Sequence, residues 1–144
     1  MEINARIEKL ITEFKSFSDW EERYKYIIQL GKDLAPMDET HKVEANKVKG
    51  CQSQVWLFAH LNNGVITFEA DSDAAIVKGI VSILVRIYSG STPAEILATK
   101  PDFLDDIGLR QHLSMSRANG LTSMVKQISM YALAYDTKLK MGLA

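Results

Sequence analysis

Cys51 is the only cysteine among 144 residues, and it stands in the string Val48-Lys49-Gly50-Cys51-Gln52-Ser53-Gln54-Val55-Trp56. Once ionised, a thiol attacks carbonyl carbon or another sulfur, which makes this side chain the one soft nucleophile available. Its setting decides whether that chemistry is used. Gly50 admits a sharp turn or the close approach of a partner, Gln52, Ser53 and Gln54 form a polar collar, and Val55 to Ala59 reads as a strand meant for burial. The thiol is therefore expected where a loop becomes a sheet. A free cysteine is also a small hydrophobe that fills cores. The flanking residues make a poor core and a good loop, and residue chemistry alone leaves both a reactive and an inert thiol open.

Other catalytic patterns are thinly represented. His41, His60 and His112 are scattered in the sequence and a lone cysteine completes no CxxC, so no metal site is expected. None of the glycines forms a phosphate-cradling GxGxxG or GxxxxGKS loop. Pairing of Cys51 with His112 or His60 would give a cysteine-dependent hydrolase, and Cys51 by itself a thiol redox sensor. Local pattern supplies no orienting third group or oxyanion donor for it, and His60 at a strand end suits a structural role. One cysteine can feed an iron–sulfur cluster but is too few to hold one.

The motif GCQSQVW, with the DSDAAIVKG run from Asp71, the LSMSRANGL run from Leu113 and the WEERYKYIIQLGK segment from Trp20, resembles the SufE family of sulfur-acceptor proteins. The likeness covers nearly the whole chain. It implies that Cys51 accepts persulfide sulfur from a cysteine desulfurase, stimulates that enzyme, and delivers the sulfur for iron–sulfur cluster assembly. It implies a SufS-like or CsdA-like desulfurase as partner, which brings its own pyridoxal phosphate, and a SufBCD-like scaffold as recipient. The chain itself is then an accessory carrier without a cofactor. Residues after the cysteine differ in the CsdE branch, so Gln52-Ser53-Gln54 favours SufE proper. From the same pattern Asp73 and Arg117 are expected near the cysteine loop and the partner surface, with capping as an alternative role for Asp73. Gln54 either fixes the loop by hydrogen bonds or points to solvent. The family shares its fold with IscU-type scaffolds, a likeness that licenses no scaffold function here.

Sulfur relay sets physical requirements on the thiol. It must be nucleophilic yet shielded, which points to a pKa near ambient pH on a mobile loop, 50 to 54, over an apolar pocket.

Composition bounds the rest. A hydrophobic content of 47% over this length suffices for one compact domain, residues 1 to 144, as monomer or homodimer. Seventeen basic against 18 acidic residues leave a net charge of −1, which offers no electrostatic footprint for nucleic acid or an anionic membrane. A solitary thiol, a polar beginning at Met1-Glu2-Ile3-Asn4 and apolar runs far short of the roughly 20 residues of a membrane span place the protein in the cytoplasm.

Periodicity then supplies the elements that must hold Cys51. Ile3, Ile7, Leu10, Ile11 and Phe14 share one face of a first helix, expected to pack as a lid. Ser18 with Glu21 forms a capping-box pattern for a second helix bearing Trp20, Tyr24, Ile27, Ile28 and Leu34 and ending between Gly31 and Pro36. A charged stretch from Ala35 to Lys49 reads as a loop, with Asp38 to Lys49 as a possible further strand. Strands at 55–60 and 65–71 flank a tight Asn62-Asn63-Gly64 turn. Ser72 or Asp73 caps a buried apolar helix over 74–88, which Gly90 stops. Thr92-Pro93-Ala94-Glu95 opens a short helix, 101–109 is turn-rich, and Ser116 caps a long last helix with Leu121, Val125, Ile128, Ala132 and Tyr135 inward. Helices around a small antiparallel sheet make an α+β domain of SufE/IscU-like class.

Overall fold

The computed structural model describes residues 2–143. The chain runs α1 (Ile3–Lys15), α2 (Trp20–Lys32), two 3-10 turns (Glu39–His41 and Glu44–Asn46), β1 (Val55–Asn62), β2 (Val65–Ser72), α3 (Ala75–Tyr88), α4 (Pro93–Ala98), α5 (Phe103–Asp106), α6 (Leu109–His112) and α7 (Met115–Lys140). It is the α+β arrangement expected, with helices around a single antiparallel hairpin.

The hairpin follows from strict alternation. Val55, Leu57 and Ala59 of β1 and Ile66, Phe68 and Ala70 of β2 are buried, while Trp56, Phe58, His60 and Glu69 share the other face. Asn62 pairs with Val65, so the loop is Asn63-Gly64, both at positive φ (53° and 81°) as a type I′ turn demands. The inward face lies on α3, where Ile80, Ile83, Leu84 and Ile87 are each no more than 1% exposed. Each such side chain contributes roughly 1.5–3 kcal/mol by leaving water. The helix that is apolar on most sides is thus the central element, contacting α1, α2, α7 and β2.

Two glycines let α2 lie against it. A Cβ on Gly79 would stand 2.1 Å from the Ile27 carbonyl oxygen, and one on Gly31 would stand 2.6 Å from the Gly79 nitrogen. Backbone meets backbone at this crossing, and neither glycine was singled out by hydrophobic periodicity.

Several local expectations are corrected. The stretch from Asp38 to Lys49 makes 3-10 turns instead of a strand, joined to β1 by one bridge between Lys47 and Trp56. Its short polar side chains satisfy nearby backbone: Asp38 Oδ1 accepts from the Thr40 N–H and hydroxyl, and Asn46 Nδ2 donates to the His41 carbonyl. The cap of α2 is Asp19, whose carboxylate accepts from Glu22 N–H at 2.9 Å, one residue beyond the Ser18–Glu21 pair of identical pattern. Ser114, not Ser116, caps α7 by accepting from Arg117 N–H. The start of α3 has no side-chain cap, because the Asp73 carboxylate is turned elsewhere.

The first helix packs over the core as expected, with Ile3, Leu10 and Phe14 buried, and is tied to α3 and the residues after it. Arg6 donates to the Ile87 and Ser89 carbonyls at 2.6 and 2.7 Å, and the Arg86 guanidinium forks onto both Glu13 oxygens at 2.9 and 2.5 Å. Arg86 above all holds the Glu13 carboxyl below its ordinary range, opposing the upward push of burial. The Thr92–Glu95 capping box of α4 forms in full as its sequence specifies.

Candidate functional site

The loop carrying Cys51 is tied at its ends and laid across the first turns of α7. On one side Val48 N–H donates to the Val55 carbonyl at 2.8 Å. On the other, Asp73 and Gln54 clamp each other: Asp73 Oδ1 accepts from Gln54 N–H at 3.0 Å, and Asp73 N–H donates to the Gln54 carbonyl at 3.3 Å. This clamp prolongs the β1–β2 ladder past its last pair, Val55 with Ser72.

Between the tethers, Gly50 and Gly120 allow near contact with α7. Gly50 adopts φ +88°, and a Cβ there would meet the Ser123 hydroxyl at 2.7 Å. A Cβ on buried Gly120 would lie 3.2 Å from Cys51 Sγ. The thiol contacts the Gly120 carbonyl at 3.6 Å, a long and weak sulfur hydrogen bond. Tyr131 and Tyr135 in turn fix α7 to β1, donating to the Leu57 and Ala59 carbonyls at 3.1 and 3.2 Å.

Cys51 is half-buried and lines a pocket of about 350 Å³. Val77, Ile80 and Met124 form its apolar floor, and Gln52, Ser53, Ser114, Ser116 and Arg117 line its polar side. Burial pushes the Cys51 thiol up from its ordinary pKa, so the resting group is protonated at neutral pH. The near-ambient value expected for a relay thiol is not that of the resting loop. A larger depression of about 610 Å³ beside α1, α4 and α5 is lined by Glu2, Glu95, Asp102 and Asp106 and offers no nucleophilic thiol.

The model of the SufE domain, described as an Fe-S metabolism associated domain, matches residues 8–132. The chain belongs to the SufE family. An uncharacterized SufE-like protein of Rhizobium meliloti is 46% identical over 129 residues, covering 85% of this chain and 91% of that protein. Another from Synechocystis is 40% identical over 130 residues, covering 90% and 82% respectively. In three dimensions the chain resembles the solution structure of a hypothetical protein from Thermus thermophilus, with a TM-score of 0.77 at 21% identity, covering 92% of this chain and 96% of that one. The family ties the chain to iron–sulfur metabolism.

In this SufE-family protein the residues expected around the thiol take distinct places. Gln52, Ser53 and Arg117 share the pocket with Cys51. Gly50 supplies the turn, Asp73 the clamp, and Gln54 takes part through its main chain. Gly120, Ser114, Ser116 and Met124 were missed as site residues, although the first three lie in the LSMSRANGL run. The run carries the family likeness and placed Arg117 near the thiol, but no local pattern says which of its other residues face the loop.

The histidines lie outside this pocket among the described residues. His112 stacks on Trp20 with ring centroids 4.5 Å apart, and its Nδ1 hydrogen-bonds the Gly108 carbonyl at 2.8 Å. His60 lies on the outer hairpin face against Glu69. The expectation that the histidines are scattered is corrected for two of them, since His41 and His60 converge on Glu69. No described helix is long and apolar enough to cross a membrane.

Proposed function

We propose that this protein is a cytoplasmic sulfur carrier that takes sulfane sulfur from a SufS-like or CsdA-like cysteine desulfurase onto Cys51, thereby stimulates that enzyme, and passes the sulfur to a SufBCD-like iron–sulfur scaffold. The observation that carries the reading is a solitary, half-buried thiol lining a pocket that holds polar side chains and no histidine among its described lining residues. A hydrolase needs a base beside the thiol, whereas a carrier needs only access, room and shielding.

The transfer is a displacement at sulfur. Cys51 loses its proton to solvent and the thiolate attacks the outer sulfur of the desulfurase persulfide; the donor's S–S bond breaks and its cysteine leaves as a thiolate. Cys51 then carries S–SH, with no net oxidation. Because burial keeps the resting thiol protonated, docking of the desulfurase draws the 50 to 54 loop outward, lowers the desolvation penalty and exposes the thiolate. Retraction returns the persulfide to the pocket, away from reductants. Arg117 and Asp73, both on the exposed rim, meet the partner surface.

Incubation with a desulfurase and free cysteine, followed by intact mass measurement, tests the reading. The expected product carries about 32 Da of added sulfur, removable by reductant. Cys51→Ser is expected to gain no mass, to keep its fold and to lose stimulation of the desulfurase. Unchanged mass of the wild type, or full stimulation by the serine variant, overturns the assignment.

A further inference from the structure

On the hairpin face turned away from the core, His41 Nδ1, His60 Nε2 and a Glu69 carboxylate oxygen lie within 4.8 Å of one another. The three come from separate pieces of chain: His41 from the 3-10 turn Glu39–His41, His60 from β1 and Glu69 from β2. His60 and Glu69 are placed by strand register, since Glu69 faces Phe58 and His60 follows Phe58 two residues later on the same face. His41 is brought over them by the turn. Both imidazoles address the same oxygen, Glu69 Oε2, His41 at 2.9 Å.

The groups behind these atoms hold them in place. The other Glu69 oxygen accepts from Asp38 N–H at 3.1 Å, which fixes the carboxylate and leaves Oε2 for the two rings. Phe58 packs against both imidazoles, with centroids 4.3 Å from His41 and 4.8 Å from His60. The nearby ammonium of Lys42 is engaged by Asp71 and Glu39, at 2.6 and 2.9 Å. Oriented ligands, a hydrogen-bonded carboxylate and an apolar wall are the outer features that tune metal sites.

We infer that His41, His60 and Glu69 form a binding site for one divalent transition ion of the zinc type, with water completing the coordination. Two imidazoles and a carboxylate suit such ions, and side-chain exposures of 27%, 40% and 23% leave a face open for water. Ligands at about 2.0–2.1 Å from a zinc ion stand roughly 3.3 Å apart. Both ring nitrogens lie nearer than that to Glu69 Oε2, and the half-exposed His60 ring moves outward to admit the ion. Binding displaces any proton from the two ligating nitrogens, and neutral imidazoles with an ionised carboxylate take up the ion. The ion would staple the 38–46 segment, which leads to the cysteine loop, onto the hairpin. This assignment is independent of sulfur transfer.

Zn²⁺ titration of untagged, chelator-stripped protein by calorimetry tests it, with Co²⁺ absorption as a second readout and thiol alkylation run alongside to detect ligation by Cys51. One equivalent of Zn²⁺ is expected, with the same stoichiometry in Cys51→Ser and a rise in Tm on binding. His60→Ala and Glu69→Gln should each weaken binding by more than tenfold and abolish the Tm rise, while His112→Gln changes neither. A failure of wild type to bind, affinity unchanged in His60→Ala, or binding that vanishes with Cys51 would overturn the site.

Discussion

Asp73→Ala tests how the cysteine loop is held. The substitution removes the acceptor of the Gln54 N–H, a 3.0 Å bond to a carboxylate on the exposed rim, and leaves the reciprocal Asp73 N–H bond to the Gln54 carbonyl intact. A single such bond is worth about 1 kcal/mol net. That corresponds to about fivefold in the equilibrium for local opening of the loop. Cys51 is the only thiol, so the rate of its alkylation by iodoacetamide reads that opening directly. The rate at constant pH is expected to rise about fivefold, with little change in global Tm, because the core beneath is untouched. Loss of a negative charge would also ease thiolate formation, and Asp73→Asn separates the two effects by keeping an acceptor while removing the charge. The asparagine variant should stay within about twofold of wild type if the bond is the cause. An alanine variant no faster than wild type, or an asparagine variant as fast as alanine, would refute the clamp.

Thiol titration offers a second check: with burial raising the Cys51 pKa, the folded protein holds its proton more tightly than the unfolded chain. This contribution to stability is full below the unfolded pKa and lost as pH rises through the folded value, so the alkylation-rate midpoint should fall when urea unfolds the protein. Glu13 has the opposite sign, its pKa depressed by Arg86, so its contribution is present above the ordinary carboxylate pKa and lost as pH falls through the folded value. Arg86→Met should cost about 1–3 kcal/mol at neutral pH and flatten the acid limb of a stability profile measured by urea unfolding. Gly79→Ala should destabilise by more than about 3 kcal/mol, because the new methyl group meets the Ile27 backbone and not a movable side chain; a normal urea midpoint would contradict the tight crossing. Arg117→Ala should weaken the complex with the desulfurase, and unchanged affinity in a binding titration would assign Arg117 to local structure.

Much of the scaffold was written locally. Alternation in β1 and β2, the nearly all-apolar α3 and the Thr92–Glu95 box each depend on residues a few positions apart and form as read, and the expected Asn62-Asn63-Gly64 turn forms with Asn62 drawn into β1. The GCQSQVW string marked the nucleophile because a thiol's chemistry belongs to the side chain itself. Tertiary structure decided what surrounds it. Whether Asp73 caps a helix or clamps a loop depends on Gln54, 19 residues away in the chain. The resting state of the thiol depends on Gly120 and the pocket floor, contributed by distant elements that the sequence does not order in space. The same holds for His41, His60 and Glu69: strand register sets two of them side by side, and only the path of the intervening turn brings the third.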